Sequence, residues 1–435
     1  MNRVKLGLVG VGTVGRGVVT VLKRNADEIA RRLGSQPTVV AASARDLNKA
    51  KTFLGPDVVV HADPIDVVND ANVDVVLELI GGTTDAKAII EAAIQAKKPV
   101  ITANKALIAE FGNDLFALAQ EKKSIVAFEA AVAGGIPIIK ALREGLTANR
   151  IEMVAGIVNG TTNFILSQMR DKGTSFDESL KEAQSLGYAE ADPTFDVEGI
   201  DAGQKLAIIA SLAFGIKIQP QKVFCEGITH LTDVDIEAAE EFGYRVKLLA
   251  ITRRREDGFE LRVHPTLVPE DSVIASVNGA MNAVLVHGNA VGPTLYYGAG
   301  AGAEPTASAV IADLIDVIRD IQGNTECERP HYGFQASELS DFPVLPMGSV
   351  RSSYYLRLNV SDTPGVLAQI ATILAEYDIS VEAMRQREPD VGSNAVDIII
   401  LTHECDEQAI DLSLGKIAEL ETIFTSPTRL RVENI

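Results

Sequence analysis

Asp201 and Lys205 stand four residues apart in a stretch that reads as one helix, Ile200 to Phe214, so their side chains share a helix face. Asp201 falls in the first turn, where the helix dipole favours negative charge. Such a pair is ordinarily a surface salt bridge of little energetic value. Here the rest of the helix (Leu206, Ala207, Ile208, Ile209, Leu212, Ala213 and Phe214) is strongly apolar, which puts the pair at the edge of a cleft. Upstream, Glu190, Asp192 and Asp196 crowd toward Asp201. Carboxylates this dense repel one another unless a cation or an ammonium-bearing substrate lies among them. A second lysine, Lys105, follows Asn104 just after an apolar strand, Pro99 to Thr102. It could hold a carboxylate or tune the first lysine; the alternative is an ordinary solvated loop lysine. The stretch from Glu129 to Pro137 is small and glycine-rich. It would leave carbonyls without helical partners, and hard cations accept carbonyl oxygens. A structural turn into a helix at Pro137 explains it equally well.

The chain opens with a phosphate-binding signature. Gly10-Val11-Gly12-Thr13-Val14-Gly15 matches GxGxxG between an apolar strand, Val4 to Val9, and a helix. Gly10 permits the tight turn, Gly12 lets the backbone approach a pyrophosphate, and Gly15 allows close packing of helix on strand. Amides around Thr13 and Val14 then face the phosphates. The second strand ends Ala42-Ser43-Ala44-Arg45, with no carboxylate before Arg45. A guanidinium suits a ribose 2′-phosphate, whereas an acidic residue takes the free 2′-hydroxyl. This favours NADP, with Lys49 and Lys51 in support. Asp46, directly after Arg45, keeps NAD open.

These groups need elements to position them. Short apolar runs at 4–9, 38–43, 74–80, 99–102 and 125–128 alternate with helical patterns: one through about Leu33, then Ala86 to Ala96 and Asn113 to Lys122. That alternation implies a mostly parallel sheet with helices on both faces, a Rossmann-like domain over 1–135. An α+β substrate and dimerisation domain is expected over 136–340. It has a strand at Arg150 to Val158, a polar stretch at Asn159 to Asn163, a helix at Ser175 to Leu186, and strands at Arg245 to Arg253 and Glu260 to Leu267. A helix at Thr306 to Arg319 is expected to pack back on the first domain. Pro343, Pro346 and Gly348 mark a linker. The order β-α-β-β-α-β over 350–435 is the ferredoxin-like arrangement, with a loop at 388–393.

Composition narrows the function. The chain has 435 residues, a formal charge of −19, 46% hydrophobic and 23% charged residues. No basic stripe exists to displace counterions from nucleic acid or to seek an anionic membrane. No apolar run reaches the length of a membrane span, and the N-terminus reads as strand and turn rather than a signal peptide. Cys225, Cys327 and Cys405 are odd in number and far apart, so no disulfide framework or zinc spacing is visible. A cytoplasmic location fits.

Together these motifs resemble the homoserine dehydrogenases of the bacterial type with a C-terminal ACT domain. The segments carrying the resemblance are GLVGVGTVG, TANKAL around Lys105, FEAAVAGGIPII around Glu129 and GIVNGTTNFIL around Asn159. GYAEADPTFDVEGIDAGQKLAI, from Gly187 to Ile208, is the most specific, and SDTPGVLAQIATIL, from Ser361 to Leu374, carries the ACT likeness. The resemblance implies reversible NAD(P)-dependent interconversion of L-homoserine and L-aspartate 4-semialdehyde. Lys205 would exchange the proton. Glu190 and Asp201 would hold the substrate, with Asp196 in support. Lys105 would touch cofactor and substrate, with a share in catalysis, and Gly187 and Gly302 would approach the nicotinamide. Glu129, Val132, Gly134 and Ile136 would hold a monovalent cation, sodium by preference, largely through backbone oxygens. The tail would respond to L-threonine, in a homodimer or homotetramer. Two other readings remain: a semialdehyde dehydrogenase that acylates a cysteine, and a non-catalytic metabolite sensor.

Overall fold

The computed structural model describes residues 3–323, 330–387 and 394–435. Cys327 and the loop expected at 388–393 lie outside the described residues. The chain divides into two units. One comprises Met1–Val154, Asp201–Val223 and Met281–Phe342; the other comprises Ala155–Ile200, Phe224–Ala280 and Pro343–Ile435.

In the first unit the apolar runs form a parallel sheet of six strands among the described residues. Their order is Val59–His61, Thr38–Ser43, Lys5–Val9, Val75–Glu78, Val100–Thr102 and Val126–Ala127. The two central strands are buried along almost their whole length, as helices on both faces require. The strand order reverses between Lys5–Val9 and Val75–Glu78, which opens a crevice at their carboxyl ends. The single helix expected to run through Leu33 is two, Thr13–Arg24 and Ala26–Leu33, parted at Asn25. The helix expected from Asn113 starts at Lys105, because the Asn104 side chain accepts from the Leu107 amide and caps it. Helix Ala303–Gly323 closes the layer. A Cβ on Gly17 would lie 2.3 Å from the Ala303 carbonyl oxygen, so glycine is what lets this helix approach Thr13–Arg24. Val18 and Leu22 then share one core with Leu6, Leu8, Val310 and Leu314. The hairpin Met281–Gly288 and Gly292–Ala299 had no clear pattern in the sequence.

In the second unit, strands Tyr244–Arg254 and Phe259–Pro269 form an antiparallel hairpin. The last strand, Thr428–Val432, adds to it in parallel. Arg351–Ser361, Ala395–Thr402 and Val381–Gln386 then follow, each antiparallel to its neighbour. Helices Val366–Glu376 and Glu407–Ala418 cover this tail sheet through Tyr354, Leu358, Ile370, Ile398 and Ile410. The β-α-β-β-α-β order is thus realised, and its sheet is continuous with the hairpin. Within the expected linker, the Phe259 amide donates to Pro343 O (2.9 Å) and Leu345 donates to Phe259 O (2.9 Å), so this segment pairs with a strand. The polar stretch at Asn159 opens a helix, Gly160–Lys172, with Asn159 as its cap.

The interior of the second unit holds charge. Arg262 donates to Glu433 at 2.6 Å and to Glu260 at 3.1 Å, with all three side chains buried. Burial alone would raise Glu433, but Arg262 and Arg253 outweigh it and hold this carboxyl below its usual range. Removing one partner from such a set costs about 3–5 kcal/mol, because the other charge stays buried.

His331, in the first unit, stacks on Phe116 with ring centroids 4.8 Å apart and accepts from the Val126 amide at 3.3 Å. Burial, with Arg143 nearby, holds it down at about 4. The unfolded chain protonates this residue first, near pH 6.5, so its contribution is intact above that pH and is lost as pH falls toward 4. The loss is roughly 3 kcal/mol. His331→Gln, which can still accept from Val126, is expected to flatten the fall in stability between pH 6.5 and 4 in urea titrations. A wild-type slope in the variant would refute this.

Candidate active site

The first unit brings three of the expected site residues together. Asp201, in the first turn of helix Ile200–Phe214, is 4% exposed. Its Oδ2 accepts from Lys205 Nζ at 2.7 Å, and its Oδ1 lies 3.1 Å from Lys105 Nζ. The lysine side chains are 12% and 32% exposed, so the group is more enclosed than a cleft edge. Sequence spacing predicts the first pair. The second joins residues almost a hundred positions apart and is a product of the fold.

Lys105 is held by a polar chain that the sequence did not announce. Glu78, at the end of its central strand, is fully buried. Thr102 Oγ1 donates to Glu78 Oε2 at 2.6 Å, and the Asn104 amide donates to Thr102 Oγ1 at 3.0 Å. Asn104 Nδ2 donates to Gly82 O at 2.6 Å. Burial raises the Glu78 carboxyl, and hydrogen bonds from Thr102 and Ile80 work against that rise. The first residue of helix Lys105–Lys122 is therefore aimed from a rigid base at the carboxyl edge of the sheet. Nothing in the strand VVLE marks its glutamate as more than a strand end.

The glycine loop meets the crevice as expected. A cavity of about 810 Å³ is lined by Gly10, Gly12, Thr13, Ser43, Arg45 and Ile80, among others. Gly10 has φ +103°, and a Cβ there would lie 2.7 Å from Leu79 O. A Cβ on Gly15 would sit 2.1 Å from Gly10 O, whereas one on Gly12 would meet nothing within 4 Å. Open space at Gly12, beside a helix start with no side-chain cap, is what a pyrophosphate needs. Val14 packs its side chain against the core, and only its backbone is left to face a cofactor. Arg45 is exposed on the rim. The Asp46 side chain accepts from the Lys49 amide at 3.0 Å and caps helix Leu47–Leu54.

The carbonyl-rich turn is also in the first unit. Glu129 is buried, and its carboxylate accepts from the amides of Ile139 (3.0 Å) and Lys140 (2.8 Å). Burial and the neighbouring Asp313 push it up to about 7. Ala133 and Gly134 take φ +55° and +44°, and a Cβ on Gly134 would lie 2.5 Å from Gly300 O. Val132 and Ile136 are buried. With the Glu129 carboxylate committed to backbone amides, a small hard cation here would draw on carbonyl oxygens, and this turn fits that chemistry. Gly302, at φ +126°, accepts from the Thr306 amide at 3.1 Å, at the start of helix Ala303–Gly323.

Glu190, Asp196 and Gly187 belong to the second unit. Glu190 is exposed, and Asp196 accepts from Asn159 Nδ2 at 2.7 Å. Gly187 has φ +77° with open space where a Cβ would be. The loop is braced by Thr161 Oγ1 donating to Tyr188 O at 2.7 Å and Gln184 Nε2 donating to Glu190 O at 3.0 Å. Asn159 thus does double service, as helix cap and as partner of Asp196, a role its motif carried unread. Cys225 is free, and burial pushes its thiol up to about 11, unlike an activated nucleophile. Among the described residues no helix is long and apolar enough to cross a membrane.

A doubly wound sheet with a pyrophosphate turn, and a carboxylate between two lysines at its carboxyl edge, defines a nicotinamide-dependent oxidoreductase. Comparison with known proteins narrows the class. The family model described as "Homoserine dehydrogenase, NAD binding domain" matches residues 10–129, "Homoserine dehydrogenase" matches 137–315, and "ACT domain" matches 354–422. The homoserine dehydrogenase of Pseudomonas aeruginosa is 55% identical, with 100% of both chains covered. The crystal structure of a homoserine dehydrogenase from Thiobacillus denitrificans is 56% identical with a TM-score of 0.95, covering 100% of this chain and 99% of that one. A hyperthermophilic archaeal homoserine dehydrogenase, solved in complex with NADPH, is 27% identical with a TM-score of 0.61, over 72% of this chain and 97% of its own. The chain belongs to the homoserine dehydrogenase family.

The glycines separate stability from binding. Gly12→Val is expected to leave the melting temperature within a few degrees and to weaken NADPH binding more than tenfold. Gly15→Ala, which meets backbone, is expected to lower stability itself. Thermal melts with a cofactor titration check both, and equal effects of the two variants on stability would count against the assignment.

Proposed function

We propose that this chain interconverts L-homoserine and L-aspartate 4-semialdehyde with Lys205 as the group that exchanges the substrate proton. The observation that carries this is the buried Asp201 carboxylate shared by Lys205 and Lys105. As an ammonium, Lys205 can donate to the oxygen of a carbonyl being reduced; as an amine it can accept from the hydroxyl in the reverse direction. Two lysines beside the place where charge develops suit a developing alkoxide or a substrate carboxylate. Asp201 keeps Lys205 oriented, and Lys105 takes part beside it, toward cofactor and substrate. Glu190, with Asp196 behind it, takes the substrate's α-ammonium group. A bound nicotinamide supplies the hydride exchange.

Cofactor placement follows the same reading. Gly10, Gly12, Thr13, Val14 and Gly15 hold the pyrophosphate, Arg45 favours the 2′-phosphate of NADP, and Gly187 and Gly302 approach the nicotinamide. Glu129, Val132, Gly134 and Ile136 would hold a monovalent cation, sodium by preference, largely through backbone oxygens. We assign cofactor binding to 1–135, catalysis and dimerisation to 136–340 and regulation to 350–435, in a cytoplasmic homodimer or homotetramer that serves threonine and methionine biosynthesis. Strand Val381–Gln386 lies at a sheet edge with Val381 and Met384 exposed, which supports edge pairing between copies. L-threonine is the proposed effector of the tail.

Lys205→Ala is expected to lower kcat by at least about a hundredfold while NADPH affinity stays within a few-fold, a loss confined to the proton-transfer step. Stopped-flow turnover beside fluorescence titration of NADPH measures both, and undiminished turnover would sink the assignment. NADPH consumption with L-aspartate 4-semialdehyde is expected to fall when L-threonine is added. Consumption indifferent to threonine would leave the tail an assembly element.

A further inference from the structure

The second unit contains an unbroken line of contacts from the tail to the loop that carries Asp196. Arg431, on the last strand, is fully buried. Its Nε donates to Glu407 Oε2 at 2.8 Å, its Nη2 bonds Glu407 Oε1, and its Nη1 donates to Glu226 Oε2 at 3.0 Å. Tyr354 OH donates to the same Glu407 Oε2 at 2.8 Å. Arg429 also approaches Glu226, at 3.6 Å. Glu407 and Tyr354 are tail residues, whereas Glu226 follows the short strand Phe224–Cys225 beside the hairpin. The Phe224 ring lies under the Arg431 guanidinium, 5.2 Å from its centroid.

From Glu226 the line continues through backbone. The Glu226 amide donates to Val263 O at 2.8 Å, which ties it to the hairpin. The next residue, Gly227, is pressed so close to the loop that a Cβ would lie 2.5 Å from Val197 O. The Ile228 amide donates to Val197 O at 2.9 Å, and Thr229 Oγ1 donates to Glu198 Oε1 at 3.0 Å. Val197 ends the short helix Thr194–Val197, whose third residue is Asp196. Glu226 fixes the backbone against which this loop rests.

We infer that Glu226 is a positioning residue through which the C-terminal module, by way of Arg431, Glu407 and Tyr354, sets the substrate loop Gly187–Gly199. The inference rests on the proposed role of that loop in holding the substrate's ammonium group. Its physical basis is stiffness. A fully buried guanidinium bound by two carboxylates cannot rotate away without leaving charges unpaired, so a shift of the last strand must be carried to Glu226. Glu226 is one residue from the closest backbone approach to the loop, and packed backbone does not absorb such a shift by compressing.

The test uses the full-length enzyme. Glu226→Ala is expected to raise the KM for L-aspartate 4-semialdehyde by roughly tenfold, the scale of one charge-assisted hydrogen bond, with the Kd for NADPH unchanged. Glu226→Gln, which keeps an acceptor, is expected to recover most of that loss. Tyr354→Phe removes one hydrogen bond and no charge, and is expected to move the same KM in the same direction by about two- to threefold. Asp196→Asn serves as the control for the loop. If Asp196→Asn raises KM and folded Glu226→Ala does not, the link is overturned. If Glu226→Ala acts but Tyr354→Phe does not, the part played by the tail is overturned. If Asp196→Asn itself leaves KM unmoved, the reading of the loop fails, and the inference with it. A parallel fall in NADPH affinity would identify a general loss of structure and also overturn it.

Discussion

A buried carboxylate that must stay ionised needs cations, and Asp201 has two. At 4% exposure it gains little from solvent, so Lys205 and Lys105 hold it in place as much as it holds them. This mutual dependence governs much of the first unit. Lys205 comes from the same helix by an i, i+4 spacing and needs only that helix to form. Lys105 has to be delivered from the edge of the sheet, and the chain Glu78, Thr102, Asn104 delivers it. The parallel sheet thus supplies more than a platform. A carboxylate buried at the end of one strand braces the place where the helix after the neighbouring strand begins.

The same edge accommodates the dinucleotide, and small residues make the room. Gly10 turns the chain beneath Leu79, Gly15 lets the helix lie against the turn, and Gly17 lets helix Ala303–Gly323 close over it. Each of these glycines is set against backbone. Gly12 alone among them faces open space. That contrast separates the glycines that build the fold from the one that leaves open space, although all four belong to the same short run of sequence.

In the second unit charge replaces apolar packing where two sheets become one. The last strand pairs in parallel with the hairpin and antiparallel with the first tail strand, so Arg431 and Glu433 sit on the seam. Arg262, Glu260, Glu226 and Glu407 answer them from both sides. Hydrophobic side chains would fill such a seam with comparable stability, but they would not fix a register so strictly. Ionic groups in the interior demand particular partners.

By itself the sequence determined much of what depends on local order. The GxGxxG turn, the Asp201–Lys205 pair, the β-α-β-β-α-β order of the tail and the limits of helix Ile200–Phe214 all follow from periodicity and turn chemistry over a few residues. Local signals also misled it, and for the same reason. Asn104 and Asn159 read as loop residues, yet as caps they begin helices, since a cap acts only once the following turn has formed. The segment after Pro343 reads as a linker and pairs with a strand, because Phe259 offers it backbone groups that no local pattern reveals. Only tertiary structure decided which distant polar groups meet: Lys105 with Asp201, Glu78 with Thr102, and Arg431 with Glu226 and Glu407. Those pairings are set by burial, which removes water as a partner from at least one member of each, Asp201, Glu78 and Arg431, and burial is a property of the assembled chain rather than of any stretch of it.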